Sequence, residues 1–229
     1  MLYDAGIIQK VVQVLRTHEN GAHIVVDPVM VSTSGHRLLE PSAVNLMRTE
    51  LFPLATIVTP NIPEALDLLS DEDKAPDTIS SILQMCDAAK RIVTIYGAKA
   101  VLLKGGHLYI NSRDFIEQAI NLQDCTIEYA GLVDPEYPAI LRSAIGTDPV
   151  SDLVVDVLYE SHKKGHSRPF TLFVRTRVQS SSTHGTGCTL SAAIASGLAK
   201  GQTGSGMPNF SLYPCSFELI SPGIDQARD

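Results

Sequence analysis

A chain of 229 residues is long enough for one α/β domain with a full core. Its 44% hydrophobic content is that of a globular protein. The formal net charge of −7 argues against a general nucleic-acid or membrane-surface binder, so an anionic ligand would have to be met by local basic groups or backbone donors. Cys86, Cys125, Cys188 and Cys215 are scattered without a CxxC pair, which suggests neither a zinc site nor a disulfide framework and fits a reducing compartment. There is no apolar run of membrane-spanning length and no signal peptide, so the cytoplasm is the expected location.

Residues 4–16 read as a helix with Ile8, Val11, Val12 and Leu15 on one face, ended by Asn20-Gly21. His23 to Val26 reads as a buried strand. Pro28 stops it, leaving Asp27 at its carboxyl end, either as a turn former or at the sheet edge where ligands bind in open parallel sheets. Residues 32–37 read as a polar loop. Pro41 suits the first turn of a helix reaching about Leu51 and ended by Pro53. Ala55 to Thr59 is the next strand and runs into Pro60-Asn61-Ile62-Pro63-Glu64 and a short helix to Leu69. Asn61 and Glu64 have capping-box spacing, which on spacing alone outweighs a role at a metal-bound phosphate.

Asp71 to Asp77 reads as an acidic linker. Asp77 is the expected cap of a helix with Ile79, Ile82, Leu83 and Cys86 on one face, closed by Gly97. Ala100 to Leu103 is a third apolar strand, ending in Lys104-Gly105-Gly106-His107. That lysine is either a phosphate-binding point charge or a solvated turn residue. Residues 108–150 carry three prolines and weak periodicity, and read as an irregular insertion. Leu153 to Tyr159 and Phe170 to Val174 read as a hairpin.

Gly185-Thr186-Gly187-Cys188 then opens a helix with Leu190, Ala193, Ile194, Gly197 and Leu198 on one stripe. A glycine turn at a helix start places amides and the positive dipole end where an anion can approach, and such a site favours the thiolate form of a cysteine. A packed turn with a core cysteine is the alternative. Residues 202–229, rich in Gly, Ser and Pro from Gln202 to Pro222, read as an irregular or disordered tail after a domain spanning 1–201. Strands alternating with helices predict an α/β domain, a mostly parallel central sheet with helices on both faces. Such a sheet brings Asp27, Asn61, Glu64 and Lys104 to one edge.

Four segments, VVDPVMVSTSGHRLLEP, LATIVTPNIPEALDLL, AVLLKGGH and STHGTGCTLSAAIASGLAKG, in this order resemble the hydroxymethylpyrimidine/phosphomethylpyrimidine kinases of thiamine biosynthesis, within the ribokinase-like superfamily. The resemblance covers roughly residues 1–107 and 151–201. The sugar kinases of that superfamily mostly carry Asp where this chain has Cys188, which points to the pyrimidine and pyridoxal branch.

The resemblance implies ATP-dependent phosphorylation of 4-amino-5-hydroxymethyl-2-methylpyrimidine and then of its monophosphate, with pyridoxal-type kinase as the near alternative. It implies that Gly185, Thr186 and Gly187 form an anion hole and that Cys188 is the general base. It implies that Asn61, Glu64 and Asp27 serve Mg²⁺ and the ATP phosphates, that Lys104 contacts those phosphates, and that Val29 and Met30 line the pyrimidine pocket. Homodimer pairing is implied as well. Relative to that pattern the chain lacks an amino-terminal strand with an AGSDSSGGAG-like loop and a closing amphipathic helix, and its 108–150 segment is longer. It is therefore expected to be an N-terminally truncated version, unstable or weakly active on its own. From the residues alone, a cysteine hydrolase pairing Cys188 with His184 and a non-catalytic binding fragment are the readings of other classes.

Overall fold

The computed structural model describes residues 2–17, 21–30, 38–73, 75–122, 125–129, 152–161, 169–177 and 185–201. In chain order these form α1 (Ala5–Thr17), β1 (Val25–Val26), α2 (Pro41–Leu46), β2 (Ile57–Val58), α3 (Ile62–Leu69), α4 (Ile82–Tyr96) and β3 (Ala100–Leu103). Then follow β4 (Ile110–Asn111), α5 (Ser112–Ile120), β5 (Cys125–Tyr129), β6 (Asp152–Glu160), β7 (Phe170–Thr176) and α6 (Thr186–Ala199). The expected tail from 202 and the remainder of the expected insertion, 130–150, lie outside the described residues, as does His184.

The strands make one seven-stranded sheet in the order β1-β2-β3-β6-β7-β5, with β4 on β6. β1, β2 and β3 run parallel. β6 is antiparallel to β3, β4 and β7, and β5 is parallel to β7. Six strands therefore share one direction and β6 alone is reversed, which matches the expected mostly parallel sheet. The β6–β7 hairpin falls where the alternating apolar run places it, with Val155 opposite Val174 and Val157 opposite Leu172.

Both faces of the sheet are covered. Val58, Val101, Leu103, Val155, Val157 and Leu172 pack into the large core with α1 to α5. On the other face Ile57, Ala100, Leu102, Leu158 and Phe173 meet Leu190, Ile194 and Leu198 of α6. Each of those three α6 side chains contributes about 2 kcal/mol by burial. Together they hold the helix start over the carboxyl ends of β1 to β3.

Three details depart from the sequence pattern. Ser81, not Asp77, caps α4: its hydroxyl accepts the Gln84 N–H, because residues 78–80 stay non-helical. That start sets the helix phase, so Ile82, Met85, Cys86 and Ala89 face inward while Leu83 is 65% exposed. The helix opened by Pro41 continues as a π-helical turn over Met47–Leu51, and Pro53 sits inside the 3₁₀ turn Phe52–Leu54 that closes it. The first part of the stretch read as irregular is regular. Asn111 caps α5 by accepting the Arg113 and Asp114 amides, and fully buried Phe115 anchors it. Among the described residues, no helix is long and apolar enough to cross a membrane.

One contact fixes the chain where β3 ends. A Cβ on Gly105 would lie 1.8 Å from the Val155 carbonyl oxygen and 3.0 Å from Met85 Cε. A backbone oxygen in a central strand cannot step aside, so only glycine lets the turn lie flat on β6. Gly105→Ala is expected to destabilise the chain by about 3 kcal/mol, the upper part of the usual overpacking range, read as a lowered urea midpoint with unchanged slope. A midpoint equal to that of the unsubstituted chain would contradict this packing.

Candidate active site

Three neighbouring strands end in polar residues: β1 in Asp27, β2 in Thr59 and β3 in Lys104. Because they are parallel, these ends share one edge. The edge is tightened by the Lys104 N–H, which donates to Pro60 O at 2.8 Å, and by a parallel bridge between Asn61 and Lys104.

Asp27 is the hub. Its Oδ1 accepts from Lys104 Nζ and from Thr59 Oγ1, each at 3.0 Å, and its Oδ2 accepts from Ser191 Oγ at 3.3 Å. The side chains of Lys104 and Asp27 are only 15% and 13% exposed. Removing either partner of such a shielded pair leaves the other charge poorly compensated.

The lysine also touches the helix start. A Cβ on Gly187 would come 3.1 Å from Lys104 Nζ and 4.0 Å from Asp27 Oδ2. Glycine at 187 is thus what allows the ammonium to sit against the first turn of α6. Gly185 precedes it at φ +79°, the left-handed region where an L side chain is strained, and no side chain caps the helix. The first turn of any helix presents amides without intrahelical acceptors. Cys188 lies in this turn and is exposed. The Ser191 hydroxyl stands within reach of Gly187 O and Cys188 O, both at 3.1 Å, besides Asp27. It thereby ties the glycine turn to the hub.

Asn61 and Glu64 form the reciprocal cap that their spacing predicts: Asn61 N–H donates to Glu64 Oε2 and Glu64 N–H to Asn61 Oδ1, both at 2.8 Å. They are also part of the same electrostatic site. Burial raises the Glu64 carboxyl pKa above its ordinary 4.5. The Asn61 amide and the Lys104 charge oppose that rise, and the charges of Asp27 and Asp67 add to it. The cap and the site are one structure.

Of the two residues expected at a pyrimidine pocket, Val29 is half-buried beyond a tight turn in which its N–H donates to Asp27 O. Met30 is fully buried and belongs to the core cluster. His107 beside the lysine has its pKa lowered, first by burial and then by the charges of Lys104 and Arg177. Thr59 and Ser191, which complete the Asp27 shell, lie inside two of the resembling segments but receive no role from them. A clue does exist: each is a buried hydroxyl within an otherwise apolar strand end or helix stripe.

The Glu64 shift has a pH consequence. With its pKa raised on folding, the native chain holds a proton that the unfolded chain has released between 4.5 and the raised value. Stability falls as pH rises through that window. Glu64→Gln keeps an oxygen for the Asn61 amide and is expected to flatten that fall in urea midpoints measured across the window. An equally steep fall in the variant would assign the slope elsewhere.

Comparison with known proteins adds the family. A sequence profile described as Phosphomethylpyrimidine kinase matches residues 1–131 and 146–205. The putative hydroxymethylpyrimidine/phosphomethylpyrimidine kinase 2 of Schizosaccharomyces pombe is 35% identical over 180 residues, which are 79% of this chain and 26% of that protein. The crystal structure of a phosphomethylpyrimidine kinase from Clostridium difficile 630 superposes with a TM-score of 0.59 at 27% identity, covering 98% of this chain and 66% of the other. The pyridoxal kinase of Staphylococcus aureus in complex with AMP-PCP and pyridoxal gives 0.58 at 26% identity, covering 95% of this chain and 56% of the other. Across the curated relatives it matches, the chain spans from about a quarter to about half of their length. With the profile running through both β1 to β3 and the Gly185–Cys188 turn, the chain belongs to the phosphomethylpyrimidine kinase family.

Proposed function

We propose that this chain carries the phosphoryl-transfer site of a kinase that moves the γ-phosphoryl group of ATP to the hydroxymethyl oxygen of 4-amino-5-hydroxymethyl-2-methylpyrimidine, and then phosphorylates the monophosphate. The observation that carries this reading is the meeting of Lys104, Asp27 and the glycine turn of α6 at one sheet edge. Phosphoryl transfer asks a protein mainly for positioning and charge neutralisation, and a lysine beside a helix N-terminus provides both for a phosphate.

In this reading the Gly185-Thr186-Gly187 amides receive the equatorial oxygens of the transferring group. Lys104 exchanges Asp27 for a phosphate oxygen. Cys188 Sγ takes the proton of the attacking hydroxyl as its oxygen bonds to phosphorus and the bond to the ADP oxygen breaks. The donors available to a metal, Asn61, Glu64 and Asp27, are oxygens of one amide and two carboxylates. Among the described residues no group of three or more His, Cys, Asp or Glu is placed to hold an ion unaided. That donor set suits Mg²⁺, which is typically held by one or two carboxylates together with nucleotide phosphates. When bound there the ion neutralises charge on those phosphates. Holding the Asn61–Glu64 pair in its cap keeps the donors rigid while the nucleotide arrives.

A pyridoxal-type kinase is the second reading, favoured by the nearly equal likeness to a pyridoxal kinase. Turnover of ATP with each acceptor separates the two: phosphorylation of the pyrimidine alone supports the first, of pyridoxal alone the second. No ATP-dependent product with either acceptor would remove the kinase reading. Within it, Cys188→Ala is expected to lower kcat by about a hundredfold, the lower end for a general base, with nucleotide affinity unchanged. Undiminished turnover would take the base role from Cys188.

Thiol chemistry offers a check that needs no acceptor. Cys86 is buried, its thiol pushed up to about 12 chiefly by that burial, and Cys125 is buried too, whereas Cys188 is exposed. Brief alkylation of the native chain followed by peptide mapping is expected to label Cys188 ahead of Cys86 and Cys125, and ATP with Mg²⁺ is expected to slow it. Labelling of Cys188 at the same rate with and without nucleotide would separate this cysteine from the phosphate site.

A further inference from the structure

The central run of strand β6, Leu153-Val154-Val155-Asp156-Val157-Leu158, is apolar but for one charge, and that aspartate is 2% exposed. A carboxylate in such surroundings is costly unless it is hydrogen-bonded and paired. By the period of the strand, position 156 shares the face of Leu158, which packs with Phe173 and α6.

What it holds is the turn that carries Lys104. Because β6 is the reversed strand, and Leu103 pairs with Val157, Asp156 stands opposite the position just past the end of β3. Its Oδ1 accepts the Gly105 N–H at 2.6 Å, and its Oδ2 faces Arg175 Nη2 of β7 at 3.4 Å. The Lys104 backbone is therefore fixed on both sides: its own N–H on Pro60 O, and the following amide on Asp156. Farther along the turn, Leu108 N–H donates to Gly105 O, and Arg177 donates to Gly106 O and Leu108 O. Arg175 belongs to β7, and Arg177 follows directly on its end.

We infer, resting on the kinase reading above, that Asp156 is a positioning residue that acts through Lys104. It anchors the base of the lysine so that the ammonium moves from Asp27 to a phosphate without the turn moving with it. Gly105 and Arg175 donate to different oxygens of the carboxylate, and an asparagine puts an NH2 donor where one of those two acceptors stands. Its loss of charge and of one bond loosens the anchor while leaving a group of equal size in the core.

The test is a double-mutant cycle on nucleotide binding. The dissociation constant of the non-hydrolysable analogue AMP-PNP with Mg²⁺ is measured by calorimetry for the unsubstituted chain, Asp156→Asn, Lys104→Met and the double variant, with the pyrimidine titrated separately. Thermal unfolding is recorded for all four, and Asp156→Ser replaces Asp156→Asn in the cycle if the asparagine chain is not folded. The expected result is about tenfold weaker nucleotide binding by Asp156→Asn, the scale of one charge-assisted hydrogen bond. No further loss is expected when Lys104 is already methionine, and the pyrimidine affinity is expected to be unchanged. The same loss in both backgrounds, no loss in either, or an equal loss of pyrimidine affinity would show that Asp156 does not work through Lys104, with the kinase reading intact. An unsubstituted chain that binds no nucleotide would instead overturn the kinase reading, and this role with it.

Discussion

The site depends on a lysine ammonium held where two positive features meet. Lys104 Nζ lies against the first turn of α6, whose amides carry the positive end of the helix dipole. Asp27 compensates that juxtaposition at 3.0 Å, itself steadied by hydroxyls from β2 and from α6. One carboxylate answers both a full positive charge and a helix terminus. An arriving phosphate, with its larger negative charge, matches that pair of positive groups better than the single carboxylate does. In the proposed reading the arrangement receives an anion while Asp27 remains close enough to reclaim the lysine.

Geometry of the sheet makes this meeting unavoidable. β3 is buried along its whole length, so its first polar side chain falls beyond its end, at Lys104. β1 and β2 run beside it in the same direction and deliver Asp27 and Thr59 to the same edge. The reversed β6 is what departs from the scheme. By running the other way it carries a residue from its middle, Asp156, out to the ends of its neighbours, and Gly105 lets the turn lie directly on its backbone.

Much of this is legible in local sequence, and the reason is local. Val25–Val26, Ile57–Val58 and Ala100–Leu103 are apolar runs ended by aspartate-proline, by threonine-proline or by lysine-glycine, so both strand and edge residue can be read together. The Asn61–Glu64 cap follows from a three-residue spacing. What escapes reading depends on distant partners. β5 pairs with β7 across the intervening β6, so no nearby pattern announces it, and α5 shows little beyond Asn111 and Phe115. The start of α4 is decided by where residues 78–80 pack rather than by the better-looking acidic cap. Thr59 and Ser191 sit inside resembling segments that give them no role, and Asp156 lies in none of those segments. They become meaningful only when the fold places them beside Asp27 and Lys104.

Core and site share the same atoms. Leu190, Ile194 and Leu198 seat α6 on Ile57, Ala100 and Leu102, which belong to the strands that end in Thr59 and Lys104. The distance between Gly187 and the lysine is thus set by how those apolar side chains interdigitate, one helical turn and more away from the chemistry. Close-packed interiors transmit small displacements rather than absorb them. A methylene lost beneath α6 would shift the Gly187 amide against Lys104 as surely as a substitution in the turn itself. The apolar stripe of this helix is for that reason part of the proposed phosphate site's geometry as much as of the core.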